Sequence, residues 1–177
     1  MASAASALKV STPSDTEIVM TRTFNAPRQL VFDAHTKCNL LKKWMFGPDG
    51  WSLDLCEMDL RVGGKYRWVW KRTALGGPQS EACAGMPIEM GAGGEIREFN
   101  PPERLVMTER FDQAWYEGEA LNTMVLIEVD GKTTMTLTMR YASQKARDTA
   151  LKSGMEMGME MGFARLDRIF AEMAAKA

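Results

Sequence analysis

The sequence predicts an α+β domain in which one curved antiparallel sheet of about seven strands is covered by a long C-terminal helix. Three observations carry this expectation. Short segments of alternating apolar and polar residues recur between Glu17 and Tyr141, which is the period of a half-buried strand. Turn residues separate them, above all Asp130-Gly131, the strongest short hairpin signal. From about Ser143 to Ala175 there is no proline and helix formers dominate, enough for a helix of about 45 Å. Strands followed by a single long helix place that helix on one face of the sheet.

The elements follow in order. Glu17–Pro27, "EIVMTRTFNAP", alternates and then stops at Asn-Ala-Pro, so it reads as the first strand. "RQLVFDAHT" and "CNLLKKWM" read as two short helices, and "FGPDGW" as a turn. "WSLDLCEMDLR" and "GKYRWVWKR" form a hairpin around Gly63-Gly64. In the second of these, Tyr66, Trp68 and Trp70 share one face, opposite Lys65, Arg67 and Lys71. Thr73–Gly93 is rich in glycine and proline and reads as a long loop. "GEIREFNPPERLVMTERF" gives two strands about Asn100-Pro101-Pro102, and "ALNTMVLIEVDGKTTMTLTMRY" gives two more. Residues 1–14 are small and polar, without the basic and apolar regions of a secretory signal, and read as a disordered tail before a single domain over residues 15–177.

Composition narrows the function. A net charge of −1 offers no basic field for nucleic acid or anionic lipid. No apolar run approaches the ~18 residues of a membrane span. Three scattered cysteines suit a reducing, cytoplasmic setting better than a disulfide framework. The 15 methionines stand out, since methionine fills irregular or adaptable apolar space. They concentrate in "GMEMGMEMG", Gly154–Gly162, where each glycine costs a helix about 1 kcal/mol. On a helical wheel Gly154, Gly158 and Gly162 form a stripe flanked by methionines, with Glu156 and Glu160 opposite and facing water.

Candidate chemistry is sparse. His35 is the single histidine and lies near Cys38, but two ligands fall short of a metal site, and a histidine base here has no evident third partner. "GPDG" and "RVGGK" lack the spacing of a phosphate loop. Glu109 is more informative, because it shares the strand phase of Leu105, Met107 and Phe111. Arg165 projects along the helix in nearly the direction of Gly154 and Gly158. A carboxylate and a guanidinium facing one interior would pair structurally, anchor a ligand head group, or serve acid–base chemistry.

"WMFGPDGW", "DLRVGGKYRWVW", "FNPPERLVMTERF", "AWYEGEALNTM" and the stretch from "GKTTMTLTMRY" to "GMEMGMEMGFARLD" occur in that order. Together they resemble the single-domain proteins similar to the C-terminal domain of the heat-shock-protein-90 ATPase activator, in the START-like, Bet v-like superfamily. The resemblance spans roughly Thr16 to Met173. It implies a helix-grip fold, a sheet wrapped around the terminal helix with an internal cavity for a small apolar or amphipathic molecule. The chain is expected to lack the separate chaperone-engaging domain of the eukaryotic activators, and Thr73–Gly91 exceeds the usual short connection.

On this reading the cavity is lined from the sheet by Tyr66, Trp68, Trp70, Met107, Glu109, Leu137 and Met139. Trp44 and Trp115 stand near its rim, and Met155, Gly158, Met159, Gly162 and Arg165 face it from the helix. No cofactor, metal or catalytic residue is assigned, and nucleic acid and membrane are not expected partners. A homodimer is compatible with the sequence. The leading function is binding of a small ligand. The alternatives are an enzyme of cyclase or hydrolase type using a cavity carboxylate, and a protein-interaction or co-chaperone-like module presenting "AWYEGEA".

Overall fold

A computed structural model of the chain describes residues 6–72 and 88–176. Eight strands form one antiparallel sheet in the order β1-β2-β8-β7-β6-β5-β4-β3. They are β1 (Lys9–Ser11), β2 (Glu17–Phe24), β3 (Trp51–Met58), β4 (Lys65–Arg72), β5 (Glu89–Asn100), β6 (Arg104–Phe111), β7 (Ala120–Val129) and β8 (Lys132–Arg140). Helices α1 (Arg28–Thr36) and α2 (Cys38–Trp44) follow β2, and α3 (Gln144–Lys152) and α4 (Met155–Ala175) follow β8. The α+β helix-grip architecture is the one expected. Among the described residues no helix is long and apolar enough to cross a membrane.

The strand phases are those of the sequence. Ile18, Met20, Arg22 and Phe24 alternate inward along β2, and Tyr66 and Trp68 point in along β4 while Lys65 is exposed. Arg67, on the outer face, pairs with Asp112. The inner faces meet α1, α2 and the C-terminal half of α4 in one core. There Phe163 touches Phe24 edge-on at 5.5 Å and lies stacked on Trp44 at 5.7 Å between ring centroids. His35 belongs to this core. Its Nδ1 lies 2.8 Å from the Val31 carbonyl oxygen, and burial lowers its pKa to about 4, so it stays neutral across the physiological range.

Five expectations are corrected. The N-terminal tail contributes β1, an eighth strand paired to the edge of β2. Strand β5 begins at Glu89, four residues before the expected loop ends at Gly93; residues 73–87 of that loop lie outside the described residues. The early start depends on glycine, since a Cβ at Gly94 would stand 2.0 Å from the Thr108 carbonyl oxygen. The single long helix is instead two, broken where Gly154 takes φ +81°, a conformation that costs glycine little and other residues much. Glu160, expected to face water alone, is half-exposed and turned to the sheet: it pairs with buried Arg22 at 2.7 Å and accepts a hydrogen bond from the Leu8 backbone N–H.

The fifth correction concerns the cysteines. Cys38 at the start of α2 and Cys56 on β3 form a disulfide in place of the reduced thiols expected; Cys83 lies outside the described residues. Spacing in sequence gives no hint of this, because the pairing arises only when α2 docks beside β3. Closing a loop of 18 residues restricts the unfolded chain by about 3 kcal/mol. Cys56→Ser is therefore expected to lower stability by about that amount under oxidising conditions and by little once wild type is reduced. Urea unfolding with and without reductant measures both; equal stability of wild type in the two conditions contradicts the estimate.

Candidate functional site

Helix α4 is not held to the sheet uniformly. Its C-terminal half buries Gly162, Phe163, Arg165, Leu166 and Phe170, whereas no residue from Met155 to Met161 is buried. The sheet beneath shows the same contrast. Leu105, Met124 and Met135 are closed off, while Met107, Glu109 and Leu137 on the inner face are only half-buried. Leu137 and Met159 pack against both the main core and a second cluster of Ile18, Met20, Tyr116, Met139, Tyr141 and Ala146. Between the two cores, then, the inner face of the sheet stays partly exposed.

Polar groups collect at this place. Glu109 points inward from β6, and the Asn122 side chain of β7 hydrogen-bonds to it. Asn122 sits in register between Met107 and Met139, so its phase is also inward. Three phenols feel the Glu109 charge. Burial and then the nearby Glu109 charge push the pKa of Tyr66, Tyr116 and Tyr141 well above the ordinary phenol range. The Tyr66 hydroxyl donates to the Thr108 carbonyl oxygen at 2.7 Å, and Tyr141 reaches only the Met139 sulfur, at 3.9 Å. The Tyr116 hydroxyl, Asn122 Oδ1 and Trp68 Nε1 are buried and have no hydrogen-bond partner among the described residues. Such groups cost about 1–3 kcal/mol each when left unsatisfied. Tyr116 also lines an outer recess of about 310 Å³ with Trp115, Ser143, Ala146 and Thr149.

Burial raises the Glu109 pKa from 4.5 to about 7, and the hydrogen bond from Asn122 opposes the rise only in part. The folded state thus holds this proton more tightly than the unfolded chain. Its stabilising contribution is complete below about pH 4.5 and is lost as pH rises through about 7. Glu109→Gln is expected to flatten that dependence, so wild type loses melting temperature relative to the variant between about pH 5 and about pH 8. Parallel curves for the two proteins would mean that the carboxyl titrates at its ordinary value.

Of the residues expected at the cavity, Tyr66, Trp68 and Met107 pack in the main core, Met139 and Met155 in the second cluster, and Leu137 and Met159 in both. Of the three glycines in the α4 motif, Gly154 and Gly158 have open space around them, for a Cβ at either would meet nothing within 4 Å. Gly154 is the helix break, and Gly162 packs on Trp44, whose Cε3 would lie 3.3 Å from an added Cβ. Trp44 is a core residue donating to the Ala34 carbonyl oxygen. Trp70 is half-buried and donates to the Met45 carbonyl oxygen, while Trp115 packs on Phe111 beside the recess. Arg165 does not meet Glu109. It reaches the other way, to Asp49 at 3.2 Å, with its guanidinium over the Phe46 ring at 3.9 Å. Tyr116 and Asn122 escaped the sequence reading, though Asn122 shares the inward strand phase of Met124 and Leu126.

A helix-grip domain whose inner sheet face carries polar groups among its apolar residues is the class these features define. Residues 25–171 match the model of the Activator of Hsp90 ATPase homolog 1-like protein family, and the chain belongs to that family. It is similar to a structurally solved protein from Rhodobacter sphaeroides, with 29% identity and a TM-score of 0.81 over 94% of this chain and 99% of that one. A protein from Mycobacterium smegmatis aligns with 22% identity and a TM-score of 0.75 over 93% and 98% of the two chains. An Hsp90 activator from Plasmodium falciparum shares the fold at 19% identity, with a TM-score of 0.55 over 81% and 89%. No curated protein matches the sequence.

Proposed function

We propose that the protein binds a small amphipathic molecule between the sheet and the N-terminal half of α4, with Glu109, Asn122 and Tyr116 at its polar end. The observation that carries this reading is the presence of buried polar atoms at Tyr116 and Asn122 with no partner among the described residues; the open space at Gly158 is taken to lie over them. A purely structural core closes such space and pairs such atoms. Half-buried Met107, Met155 and Met159 supply apolar walls that adapt to a ligand's shape. Glu109 favours a second reading on the same site. A carboxyl titrating at about 7 is suited to acid–base work, and chemical alteration of a bound molecule during incubation would support it.

Gly158→Leu tests the binding reading. In a packed contact the added side chain costs about 1–3 kcal/mol through overpacking. In open space it fills the volume, gains helix propensity and excludes ligand. The expected result is an unchanged or raised melting temperature together with loss of binding to an apolar probe dye. A sharply lower melting temperature with probe binding intact contradicts the proposal.

A further inference from the structure

A recess of about 360 Å³ lies between the end of α2, the turn that follows it and the C-terminal half of α4. Arg165 is the one buried charged residue among the described residues that line it. Its guanidinium lies over the Phe46 ring at 3.9 Å, and Nη2 donates to one Asp49 oxygen at 3.2 Å. Nη1 is buried and has no hydrogen-bond partner among the described residues. A guanidinium withdrawn from water is costly unless its N–H groups are paired, and carboxylates commonly take two arms of the fork at once. Here one arm is filled, at long range, by a carboxylate that is 77% exposed on the Gly47–Gly50 turn.

The surroundings are cationic. Lys43 and Arg168 are exposed at the recess and make no ion pair among the described residues. With Arg165 they set three cations against the two carboxylates of Asp49 and Glu172, a local positive excess in a chain whose net charge is −1. Half-buried Phe46 and Ile169 supply apolar wall.

We propose that this recess is a second binding site, separate from the interior one, for a small organic monocarboxylate. The ligand's carboxylate displaces the Asp49 side chain and takes both arms of the Arg165 fork, while its apolar body rests against Phe46 and Ile169. A planar, two-oxygen anion matches the fork in shape, and the single excess charge matches a monoanion. A phosphate dianion would bring a second negative charge beside Asp49 and Glu172. Lys43 and Arg168 draw the anion in by charge, and Asp49 acts as an internal competitor for Arg165.

Benzoate, benzyl alcohol and inorganic phosphate, each titrated calorimetrically into the full chain at low salt, separate the possibilities. Benzoate is expected to bind about tenfold or more tightly than either of the others, equal to about 1.4 kcal/mol. Arg165→Lys keeps the charge but loses the fork, and is expected to weaken benzoate by about tenfold. Asp49→Ala removes the competitor and is expected to tighten benzoate by about threefold, the weight of an exposed ion pair. A purely structural pair predicts no such gain. Because Asp49 is exposed, this variant keeps the test open should Arg165→Lys fail to fold. Gly158→Leu, which acts on the interior site, is expected to leave benzoate affinity unchanged. Benzoate bound no tighter than benzyl alcohol, tighter phosphate, no gain in Asp49→Ala, or loss of benzoate binding in Gly158→Leu would overturn the proposal without touching the interior site.

Discussion

Arg22→Ala is expected to lower folding stability by about 3 kcal/mol, the lower part of the range for breaking a buried charge pair. Arg22 points inward from β2 and is only 4% exposed. Its guanidinium bridges to α4, reaching Glu160 at 2.7 Å and Asp167 at 2.5 Å, and lies within 6 Å of the Phe24 and Phe163 ring centres. Removing it leaves two carboxylates over an apolar wall. Their own exposure, 44% for Glu160 and 26% for Asp167, lets water recover part of the loss, which is why the lower figure applies. For a domain of this size the melting temperature should fall by roughly 6–12 °C. Glu160→Gln removes a half-exposed partner and should cost about 1 kcal/mol or less. An Arg22→Ala protein within about 1 kcal/mol of wild type would mean that the clamp does not hold α4.

Phe163→Ala is expected to cost more, about 3–5 kcal/mol, as large-to-small changes of a buried phenylalanine do. Phe163 is fully buried, and its ring meets Phe24, His35 and Trp44 at once. It is therefore shared between the sheet, α1, α2 and α4, and no neighbour can move into the void without leaving another contact. The drop in melting temperature should be roughly 6–20 °C. Because the lesion lies in the closed half of α4, probe affinity at the open half should be retained while the variant remains folded. Loss of binding by folded Phe163→Ala would join the two halves into one unit and contradict the division drawn here.

That division was only partly legible in the sequence. Strand phases were readable because alternation depends on local chemistry alone, so Trp68, Met107, Glu109 and Met139 could be assigned inward before any fold was known. The same phase pointed at Arg22, one residue among Ile18, Met20 and Phe24, and at Asn122 among Met124 and Leu126. Both lie buried, and a polar residue in an inward phase was the signal. The break at Gly154 was marked by Ser153-Gly154 after Lys152, a helix-ending pattern, but the surrounding methionines and glutamates favour helix strongly enough to mask it. Other features depend on tertiary contact. The direction of Arg165 follows from where the Gly47–Gly50 turn presents Asp49, and the Cys38–Cys56 bond from the docking of α2 on β3. Helical periodicity also cannot tell a glycine over open space from one against a tryptophan. Gly158 and Gly162 differ in that way alone.

The central claim is that the interior beside the N-terminal half of α4 receives a ligand, and methionine methyl groups report on it directly. With the methionine methyls carbon-13 labelled, titration with 1-octanol is followed by NMR. Met107, Met139, Met155 and Met159 surround the proposed site, whereas Met157 and Met173 are exposed on α4 and serve as controls. The account predicts saturable shifts of the first four with the two controls unmoved. Shifts confined to Met157 and Met173, or no saturable shift at any of the four, would contradict it.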